Sequence, residues 1–274
     1  MTASSTSNLD LGAPTDERRL VSFAQVLRDK WAITLPISLI ILVPCFWHEH
    51  IEAGDLGSHT YNAWLVQLAE SGRAPGLSIQ SMRQNVLFYW MLSALVSVFR
   101  FDLGEKIAVS LAVLLFFWSV VIFVFAVCHD VPWISLPGAA MLAYGWTFNA
   151  GFFNYYLAIG LSFLGLSIFC GQKGLKRLYA LLLAPLMLLA HPLGLVWFSG
   201  AALYTLIAER VPPRLHIFLL GSAALLLLII HKIMWSHFKV EPAARRIYTI
   251  NGMDQLVIYG NRYRTFWPGP SYHL

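Results

Sequence analysis

The sequence predicts an all-α integral membrane protein with about seven transmembrane helices and two interfacial helices in its first outer loop. Hydrophobic residues make up 58% of the chain and charged residues only 12%, and the mean hydropathy is +0.63. Soluble domains average about 45–50% apolar and about 25% charged residues. The apolar residues also gather into runs, as they must if helices are to cross roughly 30 Å of hydrocarbon. These observations exclude a soluble globular protein.

The excess of positive charge has a pattern that is typical of membrane proteins. The net charge is +5 and the pI is about 9.2, but the basic residues lie in short clusters between apolar runs. Such clusters fix the orientation of spans, so we exclude nucleic acid as a partner and expect a lipid bilayer. The three cysteines lie in or beside apolar runs, and their spacing predicts neither a disulfide framework nor a zinc site. They are Cys45, Cys128 and Cys170.

The N-terminal segment is not expected to be a secretory signal peptide. Residues 1–30 begin with a polar stretch rich in Ser and Thr, which predicts a disordered cytoplasmic tail. The first apolar run, 31–47, begins late and is followed by no small-residue cleavage site. We therefore interpret it as a retained first span at the start of a transmembrane domain over 31–235.

Charge bias decides how many of eight apolar runs cross the membrane. With the tail after the last span left out of both counts, seven basic residues fall outside and six inside if all eight runs cross. If the 14-residue run 86–99 lies in the interface, nine fall inside and four outside. Only the second arrangement obeys the positive-inside rule. It predicts seven spans, a cytoplasmic N-terminus and an outer loop over 48–106. The seven spans are 31–47, 107–128, 131–148, 152–170, 178–190, 193–208 and 215–235.

The C-terminal segment, 236–274, is predicted to lie outside the membrane. It holds several aromatic residues, prolines and glycines, and nothing in it indicates an independent domain. Because the chain ends in Pro-Gly-Pro-Ser-Tyr-His-Leu soon after a span, we expect a C-terminally truncated fragment of a longer protein.

The outer loop contains the densest polar segment near the membrane. Six of the fourteen carboxylates fall between 48 and 106. An amphipathic helix is predicted over 55–71, with Asp55 as its N-cap and Gly72 ending it. A 3.6-residue period places Asp55, His59 and Asn62 on one face. Such a grouping suits acid–base chemistry, although capping and interfacial anchoring explain the same residues.

Further polar residues are predicted near the same membrane surface. Asn154 follows a glycine turn between two spans, and His191 precedes a proline at the end of another. Each could bind substrate or simply complete an interfacial turn. His48-Glu49-His50 with Glu52 provides nitrogen and oxygen ligands that could bind a divalent metal.

The layout of residues 31–130 resembles the N-terminal half of the GT-C glycosyltransferases, which use lipid-linked sugars. A span is followed by an outer-loop helix that begins with Asp55 and ends in Ser71-Gly72. A second helix with Phe88-Tyr89-Trp90 follows, and then the segment 99–104, Phe-Arg-Phe-Asp-Leu-Gly, precedes a span. The aminoarabinose transferase-like and protein mannosyltransferase-like enzymes share this layout.

The resemblance implies a catalytic role for Asp55, as a base or as the residue that binds the acceptor. The family often has a second acid at the next position, where this chain has Leu56, and Glu49 or Glu52 would have to substitute for it. The expected donor is a sugar on a polyprenyl phosphate in a bacterial inner membrane.

The other site residues follow from this expectation. Arg73 and Arg83 are expected to hold the donor phosphate, while His59, Asn62, Asn154 and His191 are expected to line the substrate site. One alternative is a small-molecule or lipid transporter or binding protein, although the apolar runs lack the central charges expected of a transport pathway. The second alternative is a non-catalytic remnant of the GT-C family.

Overall fold

The computed structural model describes residues 31–76, 79, 83–128 and 135–237. Within these ranges the chain is helical and has no β-strand, which confirms the predicted all-α class. The predicted N-terminal tail, 1–30, and nearly all of the predicted C-terminal tail lie outside the described residues.

Ten α-helices and two 3₁₀ segments make up the described chain. The α-helices are α1 (Trp31–Phe46), α2 (Leu56–Glu70), α3 (Leu87–Val98), α4 (Phe101–Cys128), α5 (Ser135–Ala143), α6 (Trp146–Asn149), α7 (Phe153–Gly171), α8 (Ala184–Ala190), α9 (Pro192–Ala208) and α10 (His216–His237). The 3₁₀ segments are Gly174–Leu183 and Pro213–Leu215. Both helices predicted for the outer loop are present, as α2 and α3.

Three helical segments are long and apolar enough to cross a membrane: Phe101–Cys128, Phe153–Gly171 and Pro213–Ile233. The first has 28 residues, or roughly 42 Å at about 1.5 Å per residue. Helices α1, α3 and α9 are apolar but shorter. The structure therefore supports a membrane protein with three helices of spanning length.

The core lies between α4 and α7, and small residues bring the helices close. Gly160 of α7 lies against the backbone of Phe116, where an added Cβ would come within 3.2 Å. Ser162 donates its hydroxyl to the Gly194 carbonyl at 2.8 Å, which joins α7 to α9. The rings of Phe116 and Tyr156 stack with centroids 4.7 Å apart. Such close packing through small residues is typical of helices in membranes.

The predicted span 131–148 is wrong as a single helix. Helix α5 ends at Ala143, and Gly145 adopts an extended conformation before α6. The Asn149 side chain donates to the carbonyls of Tyr144 and Gly145, so the break has its own hydrogen bonds. Helix α5 alone has nine residues and measures about 14 Å.

Two other predicted boundaries are also corrected. Helix α4 begins at Phe101, six residues before the predicted start of its span, so the outer loop ends before 106. An added Cβ on Gly104 would come within 2.8 Å of Val96, and this close approach lets α3 pack on the first turns of α4. The predicted span 178–190 is a 3₁₀ segment continued by α8. Its ten 3₁₀ and seven α-helical residues together extend roughly 30 Å.

Several turns gather at one end of the bundle, which we call the upper end. Gly54 and Asp55 donate backbone N–H groups to Asn149 and Ala150 at 2.9 and 3.1 Å. Lys106 donates to the His48 carbonyl at 2.8 Å. The end of α1 and the starts of α2, α4 and α7 therefore meet here.

Both termini of helix α3 also lie near the upper end of the bundle. The Val86 backbone donates to the carbonyl of Leu189, near the end of α8, at 3.0 Å. At the other end of α3, Val96 lies against Gly104 in the first turns of α4. Helix α3 therefore runs across the upper end of the bundle.

An ion pair marks the opposite, lower end. Arg177 donates to both carboxylate oxygens of Glu209, at 2.7 and 2.5 Å. Its guanidinium also lies 5.0 Å from the centroid of the Phe169 ring. The end of α7, the start of the 3₁₀ segment and the end of α9 therefore meet at the lower end.

Candidate functional site

Helix α2 forms the centre of the upper end, and its C-terminus follows the prediction. Gly72 has a positive φ of 69°. The N–H groups of Gly72 and Arg73 bond back to Ala69 and Leu68 at 3.0 and 2.9 Å. This is the Schellman arrangement, which favours glycine because its missing Cβ allows the left-handed conformation.

The predicted side-chain cap at Asp55 is wrong. Asp55 occupies the N-cap position, but its carboxylate accepts no capping hydrogen bond, and its ψ is 0°. A capping residue normally has an extended backbone that aims its side chain at the first turn. Here the backbone is held by the bond to Ala150, and the Asp55 side chain is exposed.

Within the predicted face of Asp55, His59 and Asn62, the His59 side chain packs against α3, whereas the other two side chains are exposed. The His59 ring is half-buried and meets the Phe88 ring edge-on, with centroids 5.6 Å apart. Burial lowers the pKa of His59, while the Asp55 carboxylate and a hydrogen bond to the Gly151 backbone oppose that shift. The Asn62 side chain is exposed, and its carbonyl accepts from the Tyr89 hydroxyl at 3.3 Å.

The neighbouring face of α2 lines an open cavity of about 400 Å³. Its other walls come from the loop after α1 and from the first turns of α4. Glu105 is half-buried there, and its carboxylate accepts from the Thr60 hydroxyl at 2.5 Å. The lining residues are His50, Ile51, Gly57, Thr60, Tyr61, Trp64, Phe101 and Glu105.

Sequence reasoning missed Glu105 as a site residue. It appeared only as one of six outer-loop carboxylates, because the span was predicted to start at Ile107. Once α4 is extended back to Phe101, residues 101 and 105 are one turn apart and share a face. The same spacing places Gly57, Thr60, Tyr61 and Trp64 along one side of α2.

The residues predicted to hold a phosphate lie away from this cavity. Arg73 is exposed, and its side chain donates to the Ser71 hydroxyl at 3.0 Å. Arg83 is also exposed, and neither arginine is among the lining residues. Any phosphate that they hold would lie outside the cavity.

The amide of Asn154, which is predicted to bind substrate, is buried and bonded to backbone groups. Its side-chain oxygen accepts from the Phe88 backbone N–H at 2.9 Å, and its nitrogen donates to the Asn85 carbonyl at 2.8 Å. Asn85 has a positive φ of 58°, which asparagine tolerates better than most residues. Asn154 thus fastens the start of α3 to α7.

Replacing Asn154 with leucine is expected to destabilise the fold markedly. The Phe88 N–H and the Asn85 carbonyl would both lose their partner, at about 1–3 kcal/mol for each orphaned group. Thermal unfolding in detergent, followed by circular dichroism, measures the loss. Asn62→Leu is the matched control, because the Asn62 side chain is exposed. An equal loss of stability in both variants would show that the Asn154 hydrogen bonds do not stabilise the start of α3.

His191 caps α9 in this structure. Its Nδ1 accepts from the Leu193 backbone N–H at 3.2 Å, and its ring meets Tyr155 with centroids 5.3 Å apart. Burial lowers the pKa of His191, which keeps the imidazole neutral. A neutral ring with its proton on Nε2 is the form that can accept this bond.

The cap predicts a pH-dependent stability. The pKa of His191 in the folded state lies below its ordinary value of about 6.5. The cap therefore contributes its full stabilisation above about pH 6.5, and this stabilisation is lost as the pH falls through the folded-state pKa. We expect the loss to approach roughly 0.5–2 kcal/mol, the contribution of an N-cap. His191→Asn keeps an acceptor that does not titrate, so its melting temperature should fall less between pH 7.5 and 5. Equal falls in the two proteins would refute the titrating cap.

The predicted metal ligands show no metal-binding arrangement. Glu49 and Glu52 are exposed. Within the part of the chain that the structure describes, no three His, Cys, Asp or Glu side chains are grouped so that they could hold an ion. These two carboxylates alone do not fit a divalent site, and we derive no chemistry from one.

Comparison of the chain with known proteins gives no relative. No protein-family model matches, and neither curated proteins nor solved structures contain a match.

Proposed function

We propose that the chain is a membrane glycosyltransferase that uses a polyprenyl-phosphate-linked sugar at the upper end of its bundle. The observation that carries the proposal is the open cavity between α2 and α4, with the Glu105 carboxylate in its wall. It is formed mainly by the first outer-loop helix and by the start of the helix that follows the outer loop, two of the elements on which the resemblance to GT-C enzymes rests. A lipid-linked donor would approach from the surrounding bilayer.

The proposed topology has seven crossings and places the upper end outside the cytoplasm. The turns that the structure describes alternate between the upper and lower ends, which supports seven passes. The passes would be made by α1, α4, α5 with α6, α7, the 3₁₀ segment with α8, α9 and α10. Lys173, Lys176, Arg210 and Arg214 lie at or near the lower end, which favours a cytoplasmic position for that end. A bacterial inner membrane with a cytoplasmic N-terminus suits this arrangement.

In the proposed reaction the chain mainly positions its substrates. Glu105 and Thr60 orient the acceptor in the cavity, and Arg83 holds the donor phosphate outside it. Helix α2 has 15 residues and measures about 22 Å, so Arg73, beyond its C-terminus, lies too far from Asp55 to hold the same phosphate. The acceptor oxygen bonds to the anomeric carbon as the bond from that carbon to the phosphate oxygen breaks. Polyprenyl phosphate leaves with the electron pair, and Asp55, two residues before the cavity-lining Gly57, takes the acceptor proton. General-base help of this kind contributes typically about 10²–10⁴-fold.

The test is a transfer assay in membranes that contain the chain. Radiolabelled hexose on undecaprenyl phosphate is the first probe, and labelled pentose on the same carrier is the second. We expect label to move from the carrier to a second membrane component only when the chain is present. If the label stays on the carrier with both probes, while the chain is folded and inserted, the proposal fails for these donors.

A further inference from the structure

The cavity at the upper end combines three aromatic rings with one carboxylate. Tyr61 and Trp64 are 57% and 41% exposed, and their ring centroids are 5.6 Å apart. Phe101 of α4 adds a third ring, and Glu105 lies one turn further along that helix. The rings of Tyr61 and Trp64 are therefore uncovered next to a half-buried carboxylate.

The charges of the lining select against an anion. The eight lining residues include one carboxylate, one imidazole (His50) and no Lys or Arg. The ammonium group of the neighbouring residue Lys106 donates a hydrogen bond to the His48 carbonyl. Thr60 donates a hydrogen bond to the Glu105 carboxylate. A phosphate or carboxylate ligand would be repelled from this wall, whereas a cation would be attracted.

We infer that this cavity binds an organic ammonium group, held over the rings of Tyr61, Trp64 and Phe101 and paired with Glu105. Aromatic faces attract a positive charge within about 6 Å, and aromatic cages recognise quaternary ammonium ligands in this way. The volume of about 400 Å³ lies within the range of small-molecule sites, roughly 300–1,000 Å³. Interfacial anchoring explains exposed aromatic rings, but it does not require a half-buried carboxylate among them.

The ammonium group has two possible sources, which are a lipid headgroup at the membrane surface and a free amine. Both present the same chemistry to the cavity. The site is defined by the cavity alone, so it extends beyond the proposed sugar transfer and does not require it.

The test compares choline with its uncharged isostere, 3,3-dimethylbutan-1-ol, on the full chain in maltoside micelles. Saturation-transfer NMR titrations give the two dissociation constants. Because the ligands share one shape, their ratio reports the charge. We expect choline to bind at least about tenfold more tightly. Equal binding of the two ligands, or an absence of choline binding, would overturn the inference.

Variants locate the site. Glu105→Gln keeps an acceptor for Thr60 but removes the charge, so the preference for choline should disappear. Trp64→Leu should weaken choline binding several-fold. Glu70→Gln is the matched control, because Glu70 is an exposed carboxylate at the far end of α2 and should leave binding unchanged. A choline preference that persists in Glu105→Gln would contradict the assignment.

Nanodiscs then identify the source of the ammonium group. If phosphatidylethanolamine nanodiscs suppress choline binding relative to phosphatidylglycerol nanodiscs, a lipid headgroup occupies the site. Equal choline binding in both supports a soluble amine. If the chain prefers choline to its isostere but transfers no sugar, the ammonium site stands and the proposed transferase is rejected. If the chain transfers sugar but binds the two ligands equally, the transferase stands and the ammonium site is rejected.

Discussion

Substitution of Gly151 by alanine is expected to disrupt the upper end of the bundle more than any other single change discussed. Gly151 has a positive φ of 75°, and an added Cβ would lie 2.3 Å from the Asp55 nitrogen and 2.8 Å from the Leu56 nitrogen. Both are backbone atoms at the start of α2, so no side chain can move aside. The left-handed conformation alone costs roughly 1–2 kcal/mol, and with the clash we expect about 4 kcal/mol or more, among the largest single-residue effects.

Thermal unfolding in detergent measures this loss, with Gly200→Ala as the control. Gly200 lies within α9 with nothing near its missing Cβ, so alanine there should stabilise the helix by roughly 0.5–1 kcal/mol. A Gly151→Ala protein that melts like the unmodified chain would show that α2 is not held on the turn before α7.

Substitution of Asp55 by asparagine is expected to lower sugar transfer by roughly 10²–10⁴-fold, the usual contribution of a general base. The substitution keeps the shape of the side chain and removes its ability to take a proton. Stability should hardly change, because Asp55 makes no side-chain cap. For the same reason Asp55→Ala should cost less than the roughly 0.5–2 kcal/mol of a true N-cap. The transfer assay with radiolabelled undecaprenyl-phosphate sugar gives the rates.

Two further variants separate the roles of the carboxylates. Glu70→Gln removes an exposed charge at the far end of α2 and should leave transfer unchanged. Glu105→Gln should raise the acceptor KM more than it lowers kcat, because we assign Glu105 to binding. Full activity of the Asp55→Asn protein would remove Asp55 from the mechanism, and an unchanged KM in Glu105→Gln would remove the cavity from it.

Local patterns in the sequence predicted the outer-loop helices well. The apolar spacing and the Gly72 stop place α2 within a residue of its observed ends, because a left-handed C-terminus depends on one residue type. The run 86–99 is likewise a helix, α3, shortened by one residue at each end. Hydrophobic length also identified α4, α7 and α10, since long apolar runs leave few alternatives.

Features that depend on tertiary contacts were not predictable. Glu105 lies in the cavity wall because α4 starts earlier than its apolar run, and hydropathy alone does not report that extension. The conformation of Gly145 and the bonds from Asn149 divide a continuous apolar run, while Asn154 is buried by α3. Each outcome depends on neighbours distant in sequence, which one amino-acid sequence alone does not reveal.

The proposed function places the cavity on the outer side of the membrane, and cysteine labelling tests this position most directly. Ser58→Cys on α2 and Lys173→Cys at the lower end are both exposed positions. The background carries Cys128→Ser and Cys170→Ser, whereas Cys45 is fully buried and can remain. An impermeant maleimide should label Ser58→Cys in intact spheroplasts and Lys173→Cys only after lysis. Labelling of Lys173→Cys in intact spheroplasts, or protection of Ser58→Cys until lysis, would contradict an outward-facing site.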